Sequence, residues 1–304
     1  MATFSANTPE LLSTLEKDIF FKNFTMQEQK FRMLFESKTS TKAYEDRMRF
    51  AGLGTFQVKP EGTPIAYSDP VEGTRRRVLH TTYALGFRVT MEALADDQWD
   101  IIKQMPADLG DSGRDHQERI AWDLINDGHT GARHTGLDGL RLFHTAHTSL
   151  RSEVATQSNE LSPAVQLSVT GLETIMTMAS TTQSEEGRYI DMDQALLVIH
   201  PTEQHNAYVL LETVQKSGSA DNDVSTVVSS RSGLTPLITP YKTATRSWSV
   251  HARPGKNGLC WNDRHTMDFD RAKDSDTFDS KFVAFYRASV MMNDWRNNWG
   301  SNFS

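Results

Sequence analysis

Four histidines and an aspartate fall within one glycine-rich stretch, GHTGARHTGLDGLRLFHTAH, from Gly128 to His147. Imidazoles with a carboxylate are the ligand set of a catalytic zinc site, where three protein ligands leave a fourth position open for water. The spacing of His144 and His147 could place two rings on one side of a helix, with Asp138 adding a carboxylate. His129 and His134 are separated from them by glycines, there is no HExxH pattern, and no general base stands at motif spacing. Structural histidines and no metal are therefore expected. Asp221, Asn222 and Asp223 resemble a scrap of a calcium loop, but its glycine and terminal glutamate are missing. Cys260, the single cysteine, sits beside Trp261 in an apolar-leaning strand, cannot form an internal disulfide, and reads as a buried small hydrophobe. GxSxG, a phosphate-cradling Gly-Lys-Ser run and GxGxxG are all absent, so neither an enzyme nor a cofactor is expected. The rival reading is a metal-dependent hydrolase using His129, His134, His144, His147 and Asp138.

Composition narrows the classes further. The 304 residues, 38% hydrophobic and 23% charged, are enough to bury a substantial core in one large or two moderate domains. A net charge of -7 argues against a dedicated nucleic-acid binder, which needs clustered Lys and Arg to displace counterions. No apolar run approaches the roughly 20 residues that span a bilayer, and the first residues lack the charged and apolar regions of a signal peptide. A cytoplasm-like compartment and no membrane partner are expected.

The elements that must position these residues begin with Thr8-Pro9-Glu10, which predicts a helix N-terminus. Thr25 with Glu28 reads as a capping box opening a second short helix. Phe20, Phe21, Phe24, Phe31 and Phe35 give both helices more aromatic surface than they can bury alone, so another part of the chain or another subunit must cover them. From Ala51 to Thr82 the composition turns to Gly, Pro, Thr and charge, a poor core and a good extended hairpin. Such a two-stranded arm is marginal by itself and normally lies on something else. Arg75, Arg76 and Arg77 are the densest positive charge in the chain, and pairing with carboxylates of a neighbouring subunit is the preferred reading.

In HTTYALGFRVTMEALADD, from His80 to Asp97, the period changes within about two residues. Tyr83, Leu85, Phe87 and Val89 share one strand face, and Thr90 offers an N-cap to a helix carrying Met91, Leu94, Gln98, Ile101, Ile102 and Met105. Pro106 predicts a kink or a fresh start before the pattern resumes to Gly128. From Pro163 a modest α/β unit is predicted. It comprises a helix through Leu172 to Ala179, a buried strand at Ala195 to Ile199, a helix opened by Pro201, and strands at 235–238, 247–251 and 258–261. The last segment is a long strand with Phe282, Ala284, Tyr286, Ala288, Val290 and Met292 on one face. It is expected to return to the strand and helix of residues 83–128, making the middle unit an insertion.

EGTPIAYSD, the strand–helix join, MPADLGDSGRDHQERIAWDLIND, GLDGLRLFHTAHT, SADNDVSTV and KFVAFYRASVMMNDWRNNWGS, in that order over about Glu61 to Ser301, resemble the major capsid (major head) proteins of tailed bacteriophages, including Mu-like major head subunits. The resemblance implies an α+β, Hong Kong 97-type phage capsid fold. Its parts would be an N-terminal arm (1–48), an extended β-hairpin loop (49–82), a peripheral domain with a long spine helix (83–162), an inserted α/β axial domain (163–262), and a C-terminal strand returning to the peripheral domain (263–304). It further implies self-assembly into pentamers and hexamers forming an icosahedral head around double-stranded DNA, located in the virion after assembly in a bacterial cytoplasm. A separate scaffolding protein, a portal and a decoration protein are the implied partners, with only non-specific proximity to DNA. The expected inter-subunit contacts are Phe20, Phe24, Phe31, Phe56, Lys59, Arg75, Arg76, Arg77, Asp221, Asn222 and Asp223. Some members of this fold crosslink a loop lysine to a neighbour's asparagine, and Lys59 with Asn293, Asn297 or Asn298 would be the counterparts here. An encapsulin-like cellular shell around a protein cargo is the nearer alternative.

Overall fold

A computed structural model describes residues 8–65, 67–90, 92–93, 101–190, 193–213, 233–274, 276–277 and 279–303. Two four-stranded sheets and a separate hairpin organise the chain. In the central sheet, β1 (Glu36–Thr39) runs parallel to β8 (Leu259–Lys273), which pairs antiparallel with β9 (Ser280–Met292); β9 in turn pairs antiparallel with β4 (Thr81–Val89). The last strand does return to the first region, with Tyr286 opposite Tyr83 and Phe282 opposite Phe87. Both strands alternate apolar and polar residues, so only one register buries Phe282, Ala284 and Tyr286 together.

Across the inward face of this sheet lies α2 (Ile101–Asn126), and α1 (Thr8–Met26) packs along it. Small residues permit that approach. A side chain at Gly110 would stand 2.6 Å from the Phe20 carbonyl oxygen, and one at Gly113 would meet Met267 at 2.8 Å. Phe20 stacks on Phe269 at 5.0 Å between centroids, while Phe31, in the 3-10 turn Lys30–Met33, lies 4.7 Å from Trp261. The aromatic helix faces are thus covered by this chain's own sheet, through contacts too far apart in sequence to be read locally.

Three expectations need correcting here. The Thr25 hydroxyl donates to the Phe21 carbonyl 2.7 Å away, which places it in the last turn of α1 instead of at the cap of a new helix. Pro106 lies inside α2, so of the kink and the fresh start expected there the fresh start does not occur; its ring removes a single backbone donor and the helix continues on either side of it. The residues at 258–261 are the first part of β8, a 15-residue strand of the central sheet. Its continuation, NDRHTMDFDRAK, is too polar and too interrupted by register shifts to show strand alternation.

The second sheet has the order β10 (Asn298–Ser301), β7 (Trp248–His251), β5 (Leu196–Ile199), β6 (Thr235–Ile238). Helix α3 (Val169–Thr181) contributes Leu172, Ile175 and Ala179 to its core, with Ala207 from α4 (Gln204–Glu212). Ser168 caps α3, its hydroxyl accepting from the Gly171 N–H at 3.2 Å. The two sheets are joined by polar contacts on Tyr241, whose hydroxyl donates to Asp115 at 2.7 Å and whose carbonyl accepts from Asn126 at 2.8 Å.

Beside that joint, Lys242 is fully buried with one acceptor, the Val198 carbonyl at 3.4 Å. Burial lowers its pKa to about 7. Between about pH 7 and the ordinary lysine range of about 10, the unfolded chain therefore holds the extra proton, and stability should rise with pH across that window. Replacing Lys242 with Met should stabilise the protein at pH 7 and much less at pH 10, measured by denaturant unfolding at both. Gly110→Val should cost about 1–3 kcal/mol in the same assay by forcing α1 away from α2.

Candidate functional site

The part of the molecule without a core of its own is the hairpin of β2 (Tyr44–Ala51) and β3 (Val71–Leu79), antiparallel with Asp46 opposite Arg77 and Arg47 opposite Arg76. Residues 52–65 and 67–70 form its tip and carry no strand assignment. Prolines at 60, 64 and 70 deny ladder donors there. Leu53, Phe56, Val58, Ile65 and Tyr67 on the tip, with Tyr44, Met48, Phe50 and Leu79 on the strands, are exposed apolar side chains. Phe56 and Val58 retain essentially all of their accessible surface.

The underside of the hairpin is fastened by charge. Arg49 Nε donates to Glu185 Oε1 at 2.8 Å, and the same oxygen accepts from Arg296 Nη1 at 3.1 Å. The second Glu185 oxygen accepts from the Leu150 N–H at 2.7 Å. At the neck of the tip, Arg151 Nη2 donates to the carbonyls of Gly52 and Asp69 at 2.7 and 2.8 Å, Arg188 donates to the Leu53 carbonyl at 2.9 Å, and Glu186 accepts from the Gly52 N–H at 2.6 Å. Burial pushes the Glu186 carboxyl up, but hydrogen bonds from Ser184 and Gly52 outweigh that and hold it below its ordinary range. One face of the hairpin is therefore held to the chain and the other is open.

The expected contact residues distribute unevenly over this surface. Phe56, Lys59 and Arg75 are exposed on the hairpin. Arg77 forms a forked pair with Asp46 at 2.8 and 2.9 Å and lies 3.8 Å above the Tyr44 ring. Arg76 donates to Thr135 Oγ1 and to the Gly136 carbonyl. Both thus have partners within this chain, Arg77 because antiparallel register brings Asp46 across from it. Phe20 and Phe31 are wholly buried and Phe24 is half-buried against the same core, so Phe20 and Phe31 cannot serve as contacts between subunits. Asp221, Asn222 and Asp223 lie outside the described residues.

The histidine loop resolves into separate pairs. His129 Nδ1 lies 2.9 Å from Glu160, His147 Nδ1 2.6 Å from Asp138, and His134 Nδ1 3.4 Å from Asp127. His147 also stacks on Trp295, with ring centroids 4.2 Å apart, and its Nε2 meets Asn159 Oδ1 at 3.1 Å. Asp127 organises the turn that follows α2: burial pushes its carboxyl up, but bonds from Thr130 Oγ1 and the N–H groups of His134, Arg133 and Ala132 prevail and bring it down to about 2. Among the described residues no group of three or more His, Cys, Asp or Glu side chains is placed to hold a metal. Of the asparagines considered for crosslinking, Asn298 is fully buried and bonded to His251, while Asn293 donates to Cys260 Sγ at 3.0 Å.

Sequence reasoning missed the anchors Arg49, Glu185, Arg296, Arg151 and Arg188. Arg49 and Glu185 are 136 residues apart, and no local pattern marks either.

An α+β chain with two cores, an anchored apolar hairpin and histidines used as struts defines a structural, assembly-type protein. A family model described as phage capsid protein matches residues 75–296, and the chain belongs to that family. The chain is similar in structure to the capsid of a native GTA particle (TM-score 0.59, 13% identity, 91% of each chain covered). It is also similar to the capsid of cyanophage P-SCSP1u (TM-score 0.58, 11% identity, 89% of this chain and 86% of that one). A virus-like particle from Pyrococcus furiosus matches with TM-score 0.53 at 8% identity, covering 95% and 98%. None of the curated proteins matches. The fold is the Hong Kong 97-type capsid fold, and the protein is a major capsid structural protein.

Glu185→Ala removes the carboxylate shared by Arg49 and Arg296, leaving Arg296 with Asp294 and Arg49 with the Thr148 carbonyl, and should cost about 1–3 kcal/mol in denaturant unfolding. Asp46→Ala, on the solvent side of the hairpin, should leave the unfolding midpoint within error of the parent.

Proposed function

We infer that this chain builds the icosahedral head of a tailed phage, assembling into pentamers and hexamers that enclose double-stranded DNA within the virion. The observation that carries this reading is the hairpin: a chain folded alone would leave Phe50, Leu53, Phe56, Val58, Ile65 and Tyr67 in water, and large apolar side chains gathered on one exposed hairpin are what an interface buries. In the head, residues 49–82 lie across an adjacent subunit, with Phe56, Lys59 and Arg75 at the contact. The second sheet with α3 and α4 forms the axial unit around the capsomer centre, with Asp221, Asn222 and Asp223 as expected contacts. The central sheet with α1 and α2 makes the peripheral unit, so the boundary expected at 262 moves back to the start of β8 at Leu259, β10 (Asn298–Ser301) goes with the axial unit, and the 1–48 arm contacts a neighbour. Each contact is individually weak, and the closed shell makes the sum strong because several interfaces hold every subunit at once. Assembly takes place in the bacterial cytoplasm with a separate scaffolding protein and a portal, and a decoration protein binds outside. A net charge of -7 would keep the inner wall from trapping the packaged DNA, provided that the positive residues cluster at subunit contacts.

A cellular shell around a protein cargo shares the fold and fits less well, since the matching family model is that of a phage capsid protein. A hydrolase is not supported by histidines bonded to separate partners.

Deleting residues 51–73 should leave a folded chain, because the Arg47–Arg76 and Met48–Arg75 pairs still close a shorter hairpin. Expressed beside the full chain and examined by light scattering and negative-stain electron microscopy, it should form no closed shells, whereas the full chain forms shells, tubes or rings. Normal shells from the deletion would refute the role given to the hairpin.

A further inference from the structure

Between α2 and the β4 edge of the central sheet lies a cavity of about 400 Å3, walled by Tyr83, Leu85, Leu109, His116, Met267 and Tyr286. Strand β4 pairs with β9 alone, so among the described residues its other edge is open. Tyr83, Leu85, Phe87 and Val89 share the strand face turned towards α2. Tyr83 meets His116 of that helix with ring centroids 4.9 Å apart, Phe87 stacks on Phe282 at 4.7 Å, and Val89 is buried. Leu85, on the same face, keeps 55% of its surface exposed. Across the cavity from it α2 presents Ser112 and Gly113, neither of which has the bulk to cover a leucine. The polar groups in the wall are spent on one another, His116 Nδ1 lying 2.8 Å from Tyr286 Oη. What remains is an apolar and aromatic hollow, open at a sheet edge, and an apolar side chain from outside is what would fill it.

The same chain carries such a side chain. Phe56, on the hairpin tip, meets nothing of its own chain, and Val58, two residues on, meets almost nothing. Arg151, Arg188 and Glu186 fix the neck of the tip in that position. The charges beside the two features are also complementary. Lys59, three residues from Phe56, is exposed and among the described residues has no carboxylate within ion-pair distance. Asp108, one helical turn before Ser112 and on the same face of α2, is exposed and equally without a cation. Three extended residues span about 10 Å, enough for the lysine to reach the next helical turn while the phenylalanine fills the hollow.

We propose that this cavity receives the hairpin tip of a second copy, with Phe56 inserted between β4 and α2 and Lys59 paired with Asp108. This docking rests on the reading of the chain as a shell subunit whose hairpin lies across a neighbour, and it names the place where the tip lands. Knob and hollow belong to different parts of one chain, so the contact is head-to-tail. Each copy gives a tip to one neighbour and receives a tip from another, which joins copies into rings or chains instead of closed pairs.

Oxidation of assembled particles of the double variant Gln57→Cys, Ser112→Cys tests the docking. Both positions are exposed in the single chain and Cys260 is buried, so a 57–112 disulfide forms only where a tip lies on another copy's cavity. A ladder of crosslinked dimers, trimers and larger species on a non-reducing denaturing gel is expected. Either single variant, or Gln57→Cys with Tyr208→Cys on α4, should give none. Plugging the cavity with Ser112→Trp should abolish closed shells while the circular dichroism spectrum and the unfolding midpoint are retained. Asp108→Lys should lower the yield of shells by about fivefold or more, and Lys59→Asp in the same chain should restore it. Particles of the double cysteine variant without a ladder, or normal shells from Ser112→Trp, would overturn the docking and leave the shell reading standing. Normal shells from the chain lacking residues 51–73 would remove both. Loss of shells in Ser112→Trp without the 57–112 ladder would mean that something else occupies the cavity, and would also overturn it. If the double cysteine variant does not assemble, the charge exchange decides, since failure of Lys59→Asp to restore Asp108→Lys contradicts the docking.

Discussion

A two-stranded hairpin has one face too many. It can bury only the side that lies on its own chain, and two strands alone do not supply the contacts that hold them. In this protein the inner side is held by buried charge, with Glu185 shared between Arg49 and Arg296, and by Arg151 and Arg188 gripping backbone carbonyls at the neck. Those bonds fix direction without hiding apolar surface. The outer side, with Phe50, Phe56 and Tyr67, is left for something else to cover. On the proposed reading, assembly gains this area by burying it against another copy.

The rest of the architecture gives the hairpin a rigid base. Strands β8 and β9 are 15 and 13 residues long and pair almost throughout, while α1 and α2 cover their inward face through Gly110 and Gly113. Phe20 and Phe31 are used up in that packing. His129 and His147 of the loop after α2 are used in the same way, as hydrogen-bonded props, His129 to Glu160 and His147 to Asp138 and Asn159. Polar residues that would tempt a catalytic reading thus serve to stiffen a loop-rich region lacking regular secondary structure between residues 130 and 168.

Parts of this were legible from the residues alone. Alternation from Tyr83 to Val89 and from Phe282 to Met292 marked two strands, and matching apolar faces anticipated that they meet. Glycine and proline marked the hairpin, and the order of several segments carried the capsid resemblance. What escaped was whatever depends on pairs distant in sequence. The polar half of β8 shows no period because a long strand with two register shifts presents charge to solvent. Phe20 looked unpartnered because Phe269 lies some 250 residues on. Arg77 looked free because only antiparallel register reveals Asp46 as its neighbour. The anchors of the hairpin, all charged residues in or beside irregular segments, had no signature at all.

Hydrogen exchange at residues 52–65 and 67–70, compared between the unassembled chain and purified particles, tests whether a neighbour covers the hairpin. Rapid exchange is expected in the unassembled chain, where these residues have few backbone partners, and strong protection in particles, with β8 and β9 protected alike in both. Equal, rapid exchange of these residues in both states would mean that no neighbour covers the hairpin and would contradict its role in assembly.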